Sequence, residues 1–345
     1  DQQGLAYIFV RNANSATDFT LLKSITGSDS GDHDFFGWAV DVHGDTIAVG
    51  AYGADLSGGA VYLFERNQGG ANHWGEVKKL ARGDNRTLTY FGRSLAMHGD
   101  TIAVGAALGL GEVLLYQRDA GGANQWGKTQ TINASYTVTP SIRVAGFGES
   151  IAFDGNRLVV SAPKESVRAE DLPAGSPTPP SNFSGAVYIF QHEKGQWLRE
   201  AKLFTGDLDL ATSYFGNVYG SSLALNGDLL FVGETGGTTN GVSAGKVFVY
   251  QRGGGTPSVY AVDDGIFVSS EKQGFGKVYF FRNPATMLGS SQALPRSALA
   301  WTPVYSFTTS SVSSSRFGFP LVGSGDSVVI GDQSANGGRG SLAAY

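Results

Sequence analysis

FGRSLAMHGDTIAVGAALGLGEVLLY, residues 91–116, is the stretch whose reading decides the fold. Its first half nearly repeats FGWAVDVHGDTIAVGA at 36–51, and fainter copies begin at Phe147, Phe215 and Phe317. A further copy, SVYAVDDGIFVSS at 258–270, lacks the FG pair but keeps the rest. A repeat of this period takes precedence over local signals, because each repeat is one supersecondary unit that buries its apolar face against its neighbours.

Within the unit, Ser94–Met97 and Thr101–Val104 are short apolar-rich runs joined by His98-Gly99-Asp100. A glycine-centred turn between two such runs predicts a β-hairpin, since Gly accepts positive φ. The turn recurs as HGD at 43–45, DGN at 154–156, NGD at 226–228, DDG at 263–265 and SGD at 324–326. A third strand follows (VYLF at 61–64, VLLY at 113–116, VYIF at 187–190, VFVY at 247–250, VYFF at 278–281). A fourth, more polar strand opens near a Trp, as in HWGEVKKL at 73–80, QWGKTQTI at 125–132 and QWLREAKL at 196–203.

Second strands such as Thr46–Val49 and Arg157–Val160 are apolar at nearly consecutive positions, which signals burial on both faces. Stacking such sheets around an axis supplies that burial. The expected fold is therefore all-β, a single β-propeller of four-stranded blades over residues 1–345, with six hairpins visible. Repeats start near 36, 91, 147, 215, 257 and 317, and a Pro/Ser-rich insertion spans 163–184. GLAYIFV at 4–10 and FTLLKSI at 19–25 read as a third and a fourth strand, and GSLAAY at 340–345 as a third strand without a fourth. The terminal strands are thus expected to close the ring and remove two open edges.

The 345 residues include 50 Gly and no Cys, with a formal net charge of −5. This balance argues against an extended nucleic-acid or anionic-membrane footprint. No apolar run approaches the length of a membrane span, so direct membrane insertion is not expected. The absence of cysteine excludes a disulfide scaffold and thiol chemistry. An opening at Asp1 without Met or a signal-like segment reads as a processed chain or an excised domain.

FG at the entry to the first strand, followed by VGA at 49–51 and 104–106 and SAP at 161–163 after the second, resembles the FG-GAP repeat. FG-GAP repeats build the propeller of integrin α-subunits and of many bacterial surface proteins. The resemblance implies seven blades, an extracellular or cell-surface location, and a role in adhesion or as an assembly module. It names a fold far better than a function. The calcium loop D-x-D/N-x-D-G-x-x-D of integrin-type repeats has no counterpart here. Each first-to-second strand connection is a tight turn such as His43-Gly44-Asp45, so those calcium sites carry over to no position.

The residues themselves offer weaker candidates. Asp29, Asp32 and Asp34 place three carboxylates before the first FG, a conceivable calcium site set against the plainer reading of a solvated loop. Arg82-Gly83-Asp84 spells the tripeptide that integrins recognise, in a loop expected to be exposed. Asn85, Asn133 and Asn182 fit the N-glycosylation pattern. Trp74, Trp126, Trp197 and Trp301 recur near the fourth strand, which points to packing. Tyr52, Tyr90, Tyr136 and Tyr214 are the loop aromatics that glycan binding would use. No nucleophile elbow, phosphate loop or H-E-x-x-H motif is present, and the five histidines form no zinc pattern.

The expected function is non-catalytic binding of a protein partner through loops gathered on one face. That face is expected to collect Asp29–Phe35, Tyr52–Ser57, Arg82–Tyr90, the 163–184 insertion and Glu234–Ser243, with Tyr52, Asp55, Arg82, Asp84, Tyr136 and Glu234 as the contact candidates, since loops on a rigid scaffold carry recognition. The alternatives are a glycan-binding lectin, a structural subunit of a surface filament or larger assembly, and a polysaccharide hydrolase or lyase with an axial cleft. No cofactor is expected beyond that calcium.

Overall fold

The computed structural model describes residues 3–11, 19–109, 111–134, 146–165, 185–203, 218–226, 229–235, 238–239, 242–243, 246–251, 265–272, 275–282, 303–308, 317–324 and 327–332. In chain order these contain β1 (Leu5–Arg11), β2 (Phe19–Ile25), β3 (Phe36–His43), β4 (Thr46–Ala51), β5 (Ala60–Glu65) and β6 (Gly75–Leu80). The next repeats supply β7 (Phe91–His98), β8 (Thr101–Ala106), β9 (Glu112–Gln117), β10 (Gly127–Ile132), β11 (Ile151–Phe153), β12 (Arg157–Ala162), β13 (Ala186–Glu193) and β14 (Gln196–Leu203). The remainder are β15 (Val218–Asn226), β16 (Leu229–Thr235), β17 (Thr238–Thr239), β18 (Val242–Ser243), β19 (Lys246–Gln251), β20 (Gly265–Lys272), β21 (Phe275–Arg282), β22 (Pro303–Thr308), β23 (Phe317–Ser324) and β24 (Ser327–Asp332). One helical turn, α1, occupies Ala54–Ser57.

Each repeat folds as a meander, as its alternation of apolar runs and glycine turns dictates. β3-β4-β5-β6, β7-β8-β9-β10 and β11-β12-β13-β14 are four-stranded antiparallel sheets in sequence order. His43 pairs with Thr46 and His98 with Thr101, leaving a two-residue turn with Gly44 at φ +58 and Gly99 at φ +55. Asp45 and Asp100 brace these turns. Arg66 and Arg118 donate to them at 2.6 Å and lie over the rings of Trp74 and Trp126. The recurrent Trp residues are buried, as packing requires. Trp301 lies outside the described residues.

Every pairing of a third with a fourth strand carries a register shift, at Ile8/Phe9, Leu63/Phe64, Lys128/Gln130, Ile189/Phe190 and Phe280/Phe281. A bulge at a sheet edge twists it away from unwanted pairing. The FG pair has its own geometry. Phe36 faces Ala51 but Ala39 already faces Gly50, so Gly37 and Trp38 are accommodated without partners in the ladder, with Gly37 at φ +86.

The aromatic residue before that glycine locks onto the preceding sheet. Gly4, Gly111 and Gly185, all near φ +80, lie against the backbones of Phe36, Phe147 and Tyr219, where an added Cβ would collide with the carbonyl oxygen. Phe36 N–H donates to the Gln3 carbonyl at 2.8 Å, and Gly111 bridges Phe147. This joint corrects the repeat boundary expected at Phe215, since Tyr219-Gly220 fills the aromatic–glycine slot. The spacing agrees: Phe36, Phe91 and Phe147 stand eight positions before turn glycines 44, 99 and 155, as Tyr219 stands before Gly227, whereas Phe215 stands twelve.

The closed seven-bladed ring is not what is found. Among the described residues the strands form seven separate antiparallel sheets of two to four strands, none closed into a barrel or ring. They fall into two compact units, Asp1–Thr87 with Gly255–Tyr345, and Leu88–Gly254. The inference failed because burial on both faces requires only a neighbour on each side, which packing within a unit supplies. In the first unit, Ile8, Phe36, Ile47, Val49, Tyr62, Phe64 and Trp74 share one apolar cluster. In the second, Phe147, Leu158, Val160, Tyr188, Phe190 and Trp197 form another, and Val159, Val187, Tyr219 and Val232 a third.

The N-terminal strands also take a form that was not foreseen. Both β1 and β2 join the last hairpin in the order β2-β1-β24-β23, with Leu5 opposite Asp332 and Val10 opposite Ser327. The third-strand slot beside β24 is therefore held by Leu5–Arg11. GSLAAY at 340–345 lies outside the described residues.

Candidate functional site

In the first unit, two connections meet over the β3–β6 sheet. One runs from β2 to β3 and carries Asp29, Asp32 and Asp34; the other runs from β4 to β5 and carries Tyr52 and Asp55. The first is tied down along its length. Ser28 donates through its backbone N–H and its hydroxyl to the Glu76 carboxylate at 2.8 and 2.9 Å, and Gln3 Nε2 donates to the Ser30 carbonyl at 2.7 Å. Gly53 N–H donates to the Asp34 carbonyl at 3.1 Å and joins the two connections.

A side-chain pin completes the union. Tyr62 on β5 and Lys79 on β6 are direct cross-strand partners. Tyr62 OH donates to Asp29 Oδ1 at 2.7 Å, and Lys79 Nζ reaches Asp29 Oδ2 at 2.8 Å and Asp55 Oδ1 at 3.2 Å. Lys79 thus bridges both connections. Its hydrogen bond, followed by that of Tyr62, holds the Asp29 carboxyl below the usual carboxylate range. Burial, followed by donation to Asp29, pushes the Tyr62 hydroxyl upward. On Lys79 burial pulls downward, but the hydrogen bonds to Asp29 and Asp55 prevail and raise it.

Around this pin the second connection makes an unusual turn. Asp55, Leu56 and Ser57 in α1 have φ of 52, 59 and 63°, the left-handed region that L-residues rarely adopt in succession. Ser57 N–H to the Gly53 carbonyl at 2.9 Å and Gly59 N–H to the Ala54 carbonyl at 2.8 Å hold the turn. Leu56 at its tip is 84% exposed. Beside it Phe35 stacks on Tyr52 with centroids 4.7 Å apart and planes 6° apart, and Trp38 meets both rings edge-on. All three rings are half-buried. The result is an ordered apolar surface bordered by carboxylates.

The other expected residues fare differently. Asp29, Asp32 and Asp34 do not gather around a common point. Asp34 Oδ2 accepts from Gly31 N–H at 2.7 Å, and no group of three or more His, Cys, Asp or Glu that could hold a metal occurs among the described residues. Arg82 is not offered to a partner. It is only 6% exposed and grips Asp84 through Nε and Nη2 at 3.1 and 2.9 Å, while Arg86 Nε adds a third contact at 2.8 Å. These contacts, Arg82 first, hold the Asp84 carboxyl far below its ordinary value. The tripeptide is an internal clamp. Asn85 and Asn133 are exposed, Glu234 lies within β16, and Tyr136 and Asn182 lie outside the described residues.

Tyr62 and Lys79 were missed, although a signal for both existed. Tyr at the second position of VYLF and Lys next to last in VKKL recur as VYIF and EAKL in the third repeat. There Tyr188 OH donates to Glu165 at 2.9 and 2.7 Å, Lys202 Nζ pairs with Glu165 Oε1 at 3.0 Å, and Glu165 is 1% exposed. Phe35 and Leu56 fall within the loops expected to make contact, but nothing local announces the backbone conformation of Leu56. No helix among the described residues is long and apolar enough to cross a membrane.

Comparison with known proteins bears on these segments. The FG-GAP repeat model matches residues 19–64 and 74–123, so the chain carries two segments of that repeat in a repeat-built β structure. The first match contains the whole surface just described, apart from Lys79. No curated protein is matched. Among solved structures, the chain is similar to the N-terminal domain of Nup159, at 10% identity and a TM-score of 0.41, covering 92% of this chain and 79% of that one. It is likewise similar, at 9% identity and 0.41, with the same coverage, to a chain in a structure of an S. cerevisiae Dbp5 variant bound to Nup159, a Gle1 variant, IP6 and ADP. The cell-surface location expected from the repeat finds no support among these comparisons and is withdrawn.

Proposed function

We propose that the protein is a non-catalytic binding module that docks a protein partner on the surface built by residues 28–35 and 52–57. The observation that carries this reading is Leu56, almost fully exposed yet held on a left-handed turn fixed from both sides. Backbone strain persists only where surrounding structure enforces it, and such sites cluster where proteins bind or switch. A leucine on a fixed turn, next to three half-buried aromatic rings, is a pre-organised anchor that loses little freedom on docking. Aromatic residues of this kind dominate the centres of protein interfaces. The strands beneath make it a rigid loop platform.

The test is site-specific photo-crosslinking from position 56, with the exposed Gln68 as the control position. A discrete, protease-sensitive adduct from position 56 that is absent from position 68, and that is lost on Tyr52→Ala, supports the reading. Equal labelling from both positions overturns it. So does a glycan array in which sugars, not proteins, bind in a Tyr52-dependent manner.

A further inference from the structure

We infer that the occupant of this surface is a protein segment presenting a basic side chain beside an apolar one. This rests on the reading that the surface docks a protein, and it adds the chemistry of the partner. The apolar half of the surface is set by Leu56 and by the Phe35, Tyr52 and Trp38 rings. The polar half is one-signed. Asp32 and Asp34 stand on the connection that carries Phe35, and Asp29 and Asp55 share one ammonium, that of Lys79, at 2.8 and 3.2 Å.

A lysine or arginine arriving here gains twice. It meets uncompensated carboxylate charge, and the faces of aromatic rings attract cations, with Trp the strongest. An acidic segment would be repelled by the same carboxylates, and charge of one sign around an apolar centre selects partners more strongly than it tightens them. A neutral sugar would stack on the rings and donate its hydroxyls to the carboxylates, but it brings no charge, so its binding would respond far less to salt. The Lys79 bridge serves this selection too, since it holds Asp29 and Asp55 in place while cancelling only part of their charge.

The experiment pans a random peptide library on the whole protein, with counter-selection on Leu56→Ser. Selected peptides are then measured by fluorescence anisotropy against wild type, Leu56→Ser and Asp32→Lys. Residues 32 and 56 are both exposed, so neither change threatens the fold, and an unchanged urea midpoint verifies this. The expected peptides combine Lys or Arg with an aromatic or aliphatic residue. They weaken about 10-fold on Leu56→Ser and about 3-fold on Asp32→Lys at low salt, the latter effect fading as ionic strength rises. Leu56-dependent peptides that are neutral or acidic and indifferent to Asp32→Lys would overturn the basic partner while leaving protein docking in place. A selection yielding no Leu56-dependent peptide would overturn both.

Discussion

The β3–β6 sheet and the β11–β14 sheet use the same two slots for opposite ends. In each, a Tyr on the third strand faces a Lys on the fourth, Tyr62 with Lys79 and Tyr188 with Lys202, and each pair receives a carboxylate from a loop. In the first sheet the acid is Asp29, from the connection before β3, and it remains more than half exposed. In the second it is Glu165, from the connection after β12, and it is sealed in. The β7–β10 sheet has Leu114 opposite Thr131 in these slots and needs no acid. A repeat position therefore specifies where a side chain points. The connection passing over it decides whether the result is a surface device or a structural one.

Breaking the buried pin should be among the costliest changes. Glu165→Gln removes the buried carboxylate that Tyr188 and Lys202 share, and a loss of about 3 kcal/mol is expected in urea unfolding followed by tryptophan fluorescence. Replacing the set together, Glu165→Leu with Tyr188→Leu and Lys202→Thr, imitates the Leu114–Thr131 solution and should recover most of that loss. Next comes Gly185→Ala. Gly185 donates to the Glu165 carbonyl at 2.9 Å, sits at φ +83, and would drive a methyl group into the Tyr219 carbonyl. About 3 kcal/mol is expected from strain and collision together, read as a lower urea midpoint at unchanged slope.

The exposed pin should be far weaker. Asp29→Asn should lower stability by no more than about 1 kcal/mol, since solvent screens an accessible pair. A loss as large as that of Glu165→Gln would erase the distinction between the two sheets. The smallest expected effect is its pH dependence. The Asp29 carboxyl titrates below its unfolded value of 3.8, so its contribution is complete above that value and disappears as pH falls through the lower folded one. The wild type and Asp29→Asn should differ by a constant amount from about pH 5 to 7 and converge in stronger acid. Divergence on acidification would mean that the carboxyl is not stabilised by its partners.

Much of the architecture was legible because period-two patterning and glycine turns are local. The hairpin at His43–Thr46, the third strands and the buried Trp74 and Trp126 follow from a few neighbouring residues. Ring closure was not legible, because apolar faces report that something covers them and not what geometry the covering takes. The boundary at Tyr219 slipped through attention to the letters FG over the eight-residue spacing to the turn. Asp29 was visible as an acid, but its role depends on Lys79, fifty positions later. Arg82 and Asp84 misled in the other direction, since a match to a recognised tripeptide says nothing of whether its side chains turn to each other.

The pairing of Leu5–Arg11 with Ser327–Asp332 sets a timetable for the chain. The strand β1 has no ladder to join at its β24 edge until more than three hundred further residues have been made. Bringing such distant segments together is entropically slow compared with closing a local hairpin. Until then β1 and β2 hold one another alone, and a two-stranded ribbon is marginal in water. Among the described sheets theirs is the last that can be completed, so two strands that precede all the other described ones are among the last to be secured.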